Sequence, residues 1–84
     1  MEQLIVTAEL KKFCSALVDL YETIGDTSKT ASVDWWYGFS KDIDVNLFVE
    51  DGRLSVWAYL YDGNLDTRSG TKVIDRRVRR RKAQ

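Results

Sequence analysis

The sequence predicts an α+β fold: one N-terminal helix packed on one face of a three- to four-stranded antiparallel β-meander, followed by a basic C-terminal tail. Three observations favour it. Apolar residues recur every three or four positions early in the chain, apolar and polar residues alternate from Val33 onward, and the pair Asp51-Gly52 separates two alternating runs. We expect a single domain over residues 1–75 and a tail over residues 76–84.

The helix is predicted to run from about Ala8 to Ile24. Thr7 is the expected N-cap and Gly25 the expected C-terminal stop. Cys14 lies on the apolar stripe, where a buried thiol behaves as a small hydrophobic group, so we expect no redox or catalytic role for it. The predicted stripe consists of Leu10, Phe13, Cys14, Leu17, Leu20, Tyr21 and Ile24.

Three strands are predicted from the two-residue period, with all of their apolar residues on the face that the helix covers. A type I′ turn at Asp51-Gly52 is expected to pair Glu50 with Arg53. A three-residue connection between the first two strands places Trp35 opposite Leu47 and keeps the aromatic residues on the covered face. The apolar positions are Val33, Trp35, Tyr37 and Phe39, then Ile43, Val45, Leu47 and Val49, then Leu54, Val56, Ala58 and Leu60.

The other face of the sheet is unusually aromatic. A second turn at Asp62-Gly63, leading into a weaker strand from Leu65, would continue a cross-strand row from Trp36 to Arg68. The remaining aromatic and acidic residues of this face surround that row. The predicted row is Trp36, Asn46, Trp57 and Arg68, with Phe48, Tyr59 and Tyr61 close by and Asp34, Asp44, Glu50 and Asp66 around them.

The formal net charge of zero conceals an asymmetry between the two parts of the chain. Residues 1–66 carry five Lys/Arg and twelve Asp/Glu, whereas residues 67–84 carry eight and one. The run from Arg76 to Lys82 alone holds six cations in seven residues. This split indicates a polyanionic partner, a contact of the chain with itself, or both.

Catalysis is the function that the sequence disfavours most. The chain has no His, which removes the usual acid/base group at neutral pH and the commonest metal ligand. Asp42, Asp44 and Asn46 match the opening spacing of a calcium loop, but Leu47 stands where that loop needs Gly and Arg53 where it needs Glu. We therefore expect no enzyme activity, no cofactor and no bound metal.

The predicted function is non-enzymatic regulation or inhibition by docking a macromolecular partner. Exposed Trp and Tyr side chains dominate interface hot spots, and carboxylates around them favour a partner that is basic or belongs to a nucleic-acid complex. We expect this partner to be a protein. The predicted docking residues are Trp36, Phe48, Trp57, Tyr59 and Tyr61, with Asp44 and Glu50.

Two alternatives remain open. The tail could bind nucleic acid through its phosphates, or a homodimer could bury the aromatic face. We expect a cytoplasmic protein without a membrane contact, because no apolar run is long enough for a span and a single Cys cannot form an intrachain disulfide. The candidate nucleic-acid residues are Arg68, Arg76, Arg77, Arg79, Arg80, Arg81 and Lys82.

Overall fold

The structure is a computed structural model that describes residues 4–24, 32–60 and 70–79. The strands form one antiparallel sheet in the order β1-β2-β3-β4, and the helix packs on one face of it. The predicted α+β meander with a helix on one face is confirmed. Within the described residues, the helix is not suited in length and apolarity to crossing a bilayer. The elements are α1 (Ala8–Ile24), β1 (Val33–Gly38), β2 (Ile43–Glu50), β3 (Arg53–Leu60) and β4 (Gly70–Arg77).

Helix α1 begins where the capping residue predicts. The Leu10 N–H donates to Thr7 Oγ1 at 3.1 Å, which satisfies one of the amides that a first helical turn leaves without a partner. The Lys11 N–H donates to the Thr7 carbonyl at 3.0 Å. Thr7 is therefore confirmed as the N-cap, while Gly25 lies outside the described residues.

The core lies between α1 and the inner face of the sheet. Cys14 is fully buried there, as predicted. The prediction for Leu20 was wrong: it is 42% exposed, and Val18 is buried instead. The buried helix residues Leu10, Cys14, Leu17, Val18 and Tyr21 follow one another at steps of four, three, one and three positions, so the buried stripe is rotated around the helix towards Val18 and leaves position 20 outside it. The buried core residues are Leu10, Cys14, Leu17, Val18, Tyr21, Val45, Leu47, Val49, Leu54, Val56 and Ala58.

The hairpin between β2 and β3 has the predicted turn. Asp51 and Gly52 have φ angles of 53° and 78°, the left-handed values of both central residues in a type I′ turn. Glu50 is opposite Arg53, as predicted. The Val78 N–H donates to the Gly52 carbonyl at 2.9 Å, so the turn also holds the chain that follows β4.

The connection between β1 and β2 also has the predicted length. The Phe39 N–H donates to the Ile43 carbonyl at 2.9 Å, and Trp35 is opposite Leu47. On the covered side, Trp35 makes an edge contact with Tyr21 of the helix, with ring centroids 5.6 Å apart. The inward placement of the aromatic row is therefore confirmed, and Trp35 joins β1 to α1, but Tyr37 is exposed and not covered by the helix.

The register of β4 differs from the prediction. A tight Asp62-Gly63 turn would place Arg68 opposite Trp57, but Lys72 is opposite Trp57, four residues further along. In the predicted register Ser69 would face the core opposite Val56; the observed register puts Ile74 there. Burial of apolar area explains the shift. Residues 61–69, which include the predicted turn, lie outside the described part of the chain.

A β-bulge in β4 adjusts this register. Val56 is opposite Ile74 and Trp57 is opposite Lys72, so Val73 is the additional residue. Val73 and Ile74 both pack against the core. The bulge therefore lets β4 contribute two adjacent apolar side chains to the core without losing its pairing with β3.

Candidate functional site

The side of the sheet that faces away from α1, called the outer face below, carries most of the predicted site residues. Alternation along each strand brings them to one side. The predicted cross-strand row is confirmed for Trp36, Asn46 and Trp57, and Lys72 completes it in place of Arg68. The outer face comprises Asp34, Trp36, Asp44, Asn46, Phe48, Glu50, Arg53, Ser55, Trp57, Tyr59, Gly70, Lys72, Asp75 and Arg77.

Three rings form a cluster at the centre of the outer face. Tyr59 lies between two tryptophans, with centroids 5.2 Å from Trp36 at an interplanar angle of 39° and 6.5 Å from Trp57 at 26°. Trp36 remains 47% exposed, and Phe48 on the same face is 37% exposed. The cluster therefore offers rigid apolar surface to solvent, the kind of surface that anchors protein interfaces.

Gly70 makes room for this cluster. A Cβ atom at position 70 would lie 2.5 Å from Tyr59 Cε2 and 3.0 Å from Trp57 Cε3, closer than atoms pack without displacement. Gly70 pairs with Tyr59 across the strands, so the tyrosine ring covers the glycine backbone. Gly70 is thus a site residue that the sequence prediction missed, since nothing in its local pattern indicates a ring above it.

Asn46 connects β2 to the neighbouring strand β1 between the tryptophans of the cross-strand row. Its amide Nδ2 donates to Asp34 Oδ1 at 2.5 Å and to the Trp35 carbonyl at 3.1 Å. The residue is buried although it belongs to the outer face. Trp57 is held in a similar way, because its indole N–H donates to Ser55 Oγ at 3.1 Å. The Ser55 bond fixes the orientation of the Trp57 ring before any partner arrives.

The charges of the outer face are divided between its two halves. β1 and β2 carry three of the carboxylates that were predicted to surround the aromatic row, namely Asp34, Asp44 and Glu50. The half formed by β3 and β4 carries three cations, Arg53, Lys72 and Arg77. The prediction of acidic residues around the aromatic row did not include them. The outer face is consequently acidic on one side of the ring cluster and mixed on the other.

Asp75 pairs with two of the cations on the half of the outer face formed by β3 and β4. Its carboxylate accepts from Arg53 Nε at 2.9 Å and lies 3.2 Å from Lys72 Nζ. Hydrogen bonds from Arg53 first, and then from Lys72, lower the pKa of Asp75. The Lys72 ammonium also lies 5.2 Å from the centroid of a Trp57 ring, within cation–π range.

A shallow depression of about 280 Å³ lies between these charges. Phe48 provides an apolar wall, and the polar groups around it come from three strands. The lining contains both carboxylates and cations. Because the carboxylates would repel the phosphates of a nucleotide, the depression suits a peptide side chain better than a nucleobase. The depression is lined by Phe48, Glu50, Arg53, Ser55, Lys72 and Asp75.

The predicted basic residues are found in two different settings. Arg76 and Arg77 belong to β4, and Arg79 lies two positions after the end of that strand. Arg77 and Arg79 are exposed, whereas Arg76 points to the helix side and pairs with buried Glu22 at 2.8 Å. Arg76 is thus engaged in the fold, a role that its place in a charge run does not reveal. Tyr61, Arg68, Arg80, Arg81 and Lys82 lie outside the described residues.

Comparison of the chain with family models, with curated proteins and with solved structures gives no match.

Proposed function

We propose that this chain is a non-enzymatic regulatory or inhibitory binding protein that docks a protein partner through the outer face. The observation that supports this most directly is the ring cluster: Trp36 is 47% exposed while its neighbours are held by stacking and hydrogen bonds. Large rings on a sheet surface are unfavourable in water unless another surface covers them. Preorganised rings lose little conformational entropy when a partner binds.

The chemistry of the outer face favours a partner with a basic segment. Asp34 lies on β1 with the exposed Trp36, and Asp44 lies on β2 opposite Tyr59. Carboxylates and ring faces both attract cations. The chain itself contains one such cation–π contact, because the Lys72 ammonium lies over the Trp57 ring. We therefore propose that Arg or Lys side chains of the partner contact the half of the outer face formed by β1 and β2.

The experiment compares single substitutions in the binding of a native partner. The partner is first recovered from nuclease-treated lysate and identified by cross-linking and mass spectrometry, and its affinity is then measured by calorimetry. Trp36→Ala and Trp57→Ala should each weaken binding by at least about 1–2 kcal/mol, as expected for a hot-spot aromatic residue. Leu20→Ala is the matched control, because Leu20 is a large exposed apolar residue on the helix.

The melting temperature of each variant separates lost binding from lost folding. Equal affinity of the wild type, Trp36→Ala and Trp57→Ala would contradict docking through the outer face. Loss of the partner on nuclease treatment alone would contradict a protein partner.

The second candidate function is nucleic-acid binding by the basic C-terminal segment. The exposed Arg77 and Arg79 favour it, whereas the pairing of Arg76 with Glu22 removes one cation from those available to phosphate. A chain that ends at Arg79 keeps the Glu22 contacts and loses Arg80, Arg81 and Lys82. If these bind phosphates, truncation should lower the log–log salt slope of binding by about 2–3. A mobility-shift titration across salt concentrations measures that slope.

A reducing compartment such as the cytoplasm suits this proposal. The single cysteine of the sequence, Cys14, is buried in the core as a free thiol. Burial raises the pKa of that thiol, which keeps it protonated and unreactive.

A further inference from the structure

The two edges of the described sheet are built differently. β4 carries Lys72 and Arg77 along its length and contains the bulge at Val73. Basic side chains and bulges are the features with which edge strands avoid pairing with other chains. β1 has neither: its sequence is VDWWYG, with Asp34 as its one charge. The β1 edge is therefore the one that is open to another strand.

β1 also exposes rings on both faces of the sheet. Trp36 on the outer face is 47% exposed, and Tyr37 on the helix side is 37% exposed. A partner lying on the outer face would cover Trp36 alone. A strand added beside β1 would place side chains next to both rings, because each strand presents residues to both faces. The exposure of both rings thus favours a partner that binds at the edge.

Backbone geometry supports the same conclusion. The Phe39 N–H donates to the Ile43 carbonyl, so the odd-numbered residues of β1 direct their backbone groups towards β2. By the same alternation, the N–H and carbonyl of Asp34 and of Gly38 point away from β2. These groups lie on the side where a further strand would hydrogen-bond.

We propose that β1 pairs antiparallel with β1 of a second copy of this chain, about a twofold axis at Trp36, to form a continuous eight-stranded sheet. This register places Asp34 opposite Gly38 of the second copy, so no like charges meet. It also places Trp35 opposite Tyr37 on the helix side, where both rings gain cover. A symmetric pairing needs one self-complementary strand, and β1 meets that requirement.

The inference goes beyond the proposed function, because pairing at the edge covers Trp36 from one side only and leaves the rest of the outer face of each copy accessible. The two ring clusters would lie side by side on one extended sheet. A partner with two basic segments would then bind both copies at once.

The experiment uses Gly38, because a Cβ atom added at this position would have no heavy atom within 4 Å. In the proposed register position 38 of each copy lies opposite Asp34 of the other copy. Gly38→Asp therefore brings two pairs of like charges together. Gly38→Lys at the same position brings two pairs of opposite charges together. Sedimentation velocity of the full chain, from about 5 to 200 µM, measures dimerisation, because an edge interface of this small size is expected to be weak.

Gly38→Lys should dimerise more tightly than the wild type, and Gly38→Asp more weakly. The dissociation constants of the two variants should differ by at least about tenfold. A wild-type chain that stays monomeric at about 200 µM would overturn the proposal. So would equal or reversed constants for the two variants, with circular dichroism showing that both are folded. The proposed function is judged separately, since Trp57→Ala lies on β3, away from this edge.

Discussion

Glu22 shows how one side chain can tie together elements that are far apart in the sequence. Its carboxylate accepts from Arg76 Nη1 at 2.8 Å and Nη2 at 3.0 Å, a bidentate pair. It also accepts from the Arg79 N–H at 2.6 Å. Because the Glu22 side chain is fully buried, these bonds replace the water that it would otherwise bind. The end of α1 and the end of β4 are therefore held at a single carboxylate.

Replacing Glu22 with Ala should destabilise the fold by about 2–4 kcal/mol, somewhat less than a fully buried ion pair, because the Arg76 side chain is 26% exposed. The variant leaves the guanidinium and the Arg79 N–H without their acceptor. Urea unfolding measures the change. Arg77→Ala is the matched control: Arg77 is adjacent and exposed, and should alter stability by about 0.5 kcal/mol or less. Similar losses in both variants would refute a specific role for Glu22.

At the level of single residues, the sequence predicts what depends on local pattern. The N-cap Thr7 and the burial of Cys14 follow from spacing along one helix. Gly70 and Arg76 act through Tyr59 and Glu22, which lie 11 and 54 positions away. No local pattern encodes such pairings, since they arise only when the register of β4 is known.

The Asp51-Gly52 turn controls more of the fold than its two residues suggest. It sets the register of β2 against β3, and its Gly52 carbonyl accepts from the Val78 N–H beyond β4. Three strands therefore depend on one turn conformation. The φ of +78° at Gly52 is a value that side chains branched at Cβ rarely adopt.

Gly52→Val should destabilise the protein by roughly 1–3 kcal/mol, the usual cost of forcing such a residue into the left-handed region. No atom lies within 4 Å of a Cβ at this position, so the loss would come from backbone strain and not from a clash. Thermal unfolding provides the measurement. Asp51→Asn serves as the control, because Asn tolerates the 53° φ at that position. Wild-type stability in Gly52→Val would show that the turn relaxes without cost.

Among the elements, α1 and the first three strands follow from the sequence, and β4 does not. The type I′ turn and the three-residue connection fix two registers through local geometry alone. The register of β4 is selected by burial of Ile74 against Val56, a contact between distant parts of the chain. Continuing β3 through a tight Asp62-Gly63 turn without a shift would have placed Ser69 opposite Val56, where the structure has Ile74.

Across the whole molecule, part of the charge asymmetry is neutralised within the fold. Lys72 and Arg76 belong to the basic part of the sequence, yet they pair with Asp75 and Glu22. The basic segment therefore begins as a structural strand and becomes exposed at Arg77 and Arg79. Composition reveals the charge asymmetry but not which basic residues pair within the fold and which stay exposed, because it contains no information about contacts.

The stability of the molecule should decline on both sides of neutral pH. Hydrogen bonds lower the pKa of Asp75, so its contribution is present above the unfolded pKa of about 3.9 and is lost as pH falls through and below that value. Burial raises the pKa of Cys14, so stability falls as pH rises above the unfolded thiol pKa of about 8.5. The chain has no His to titrate in between.

Urea midpoints measured between about pH 3 and pH 10 test this profile, and two variants separate its flanks. Asp75→Asn should weaken the decline in acid, and Cys14→Ala should weaken the decline in alkali while lowering stability throughout. Wild-type midpoints that are equal at pH 3 and pH 7 would contradict the acid flank.

The stacking of Tyr59 between Trp36 and Trp57 also gives the outer face an optical property. Chromophores whose centroids lie 5.2 and 6.5 Å apart are close enough for their electronic transitions to couple, and coupled transitions in a chiral arrangement produce paired circular-dichroism bands. The amplitude of such bands depends on the separation and angle of the rings. A ligand that moves one ring of the cluster would therefore change the ultraviolet spectrum of the protein, without any attached label.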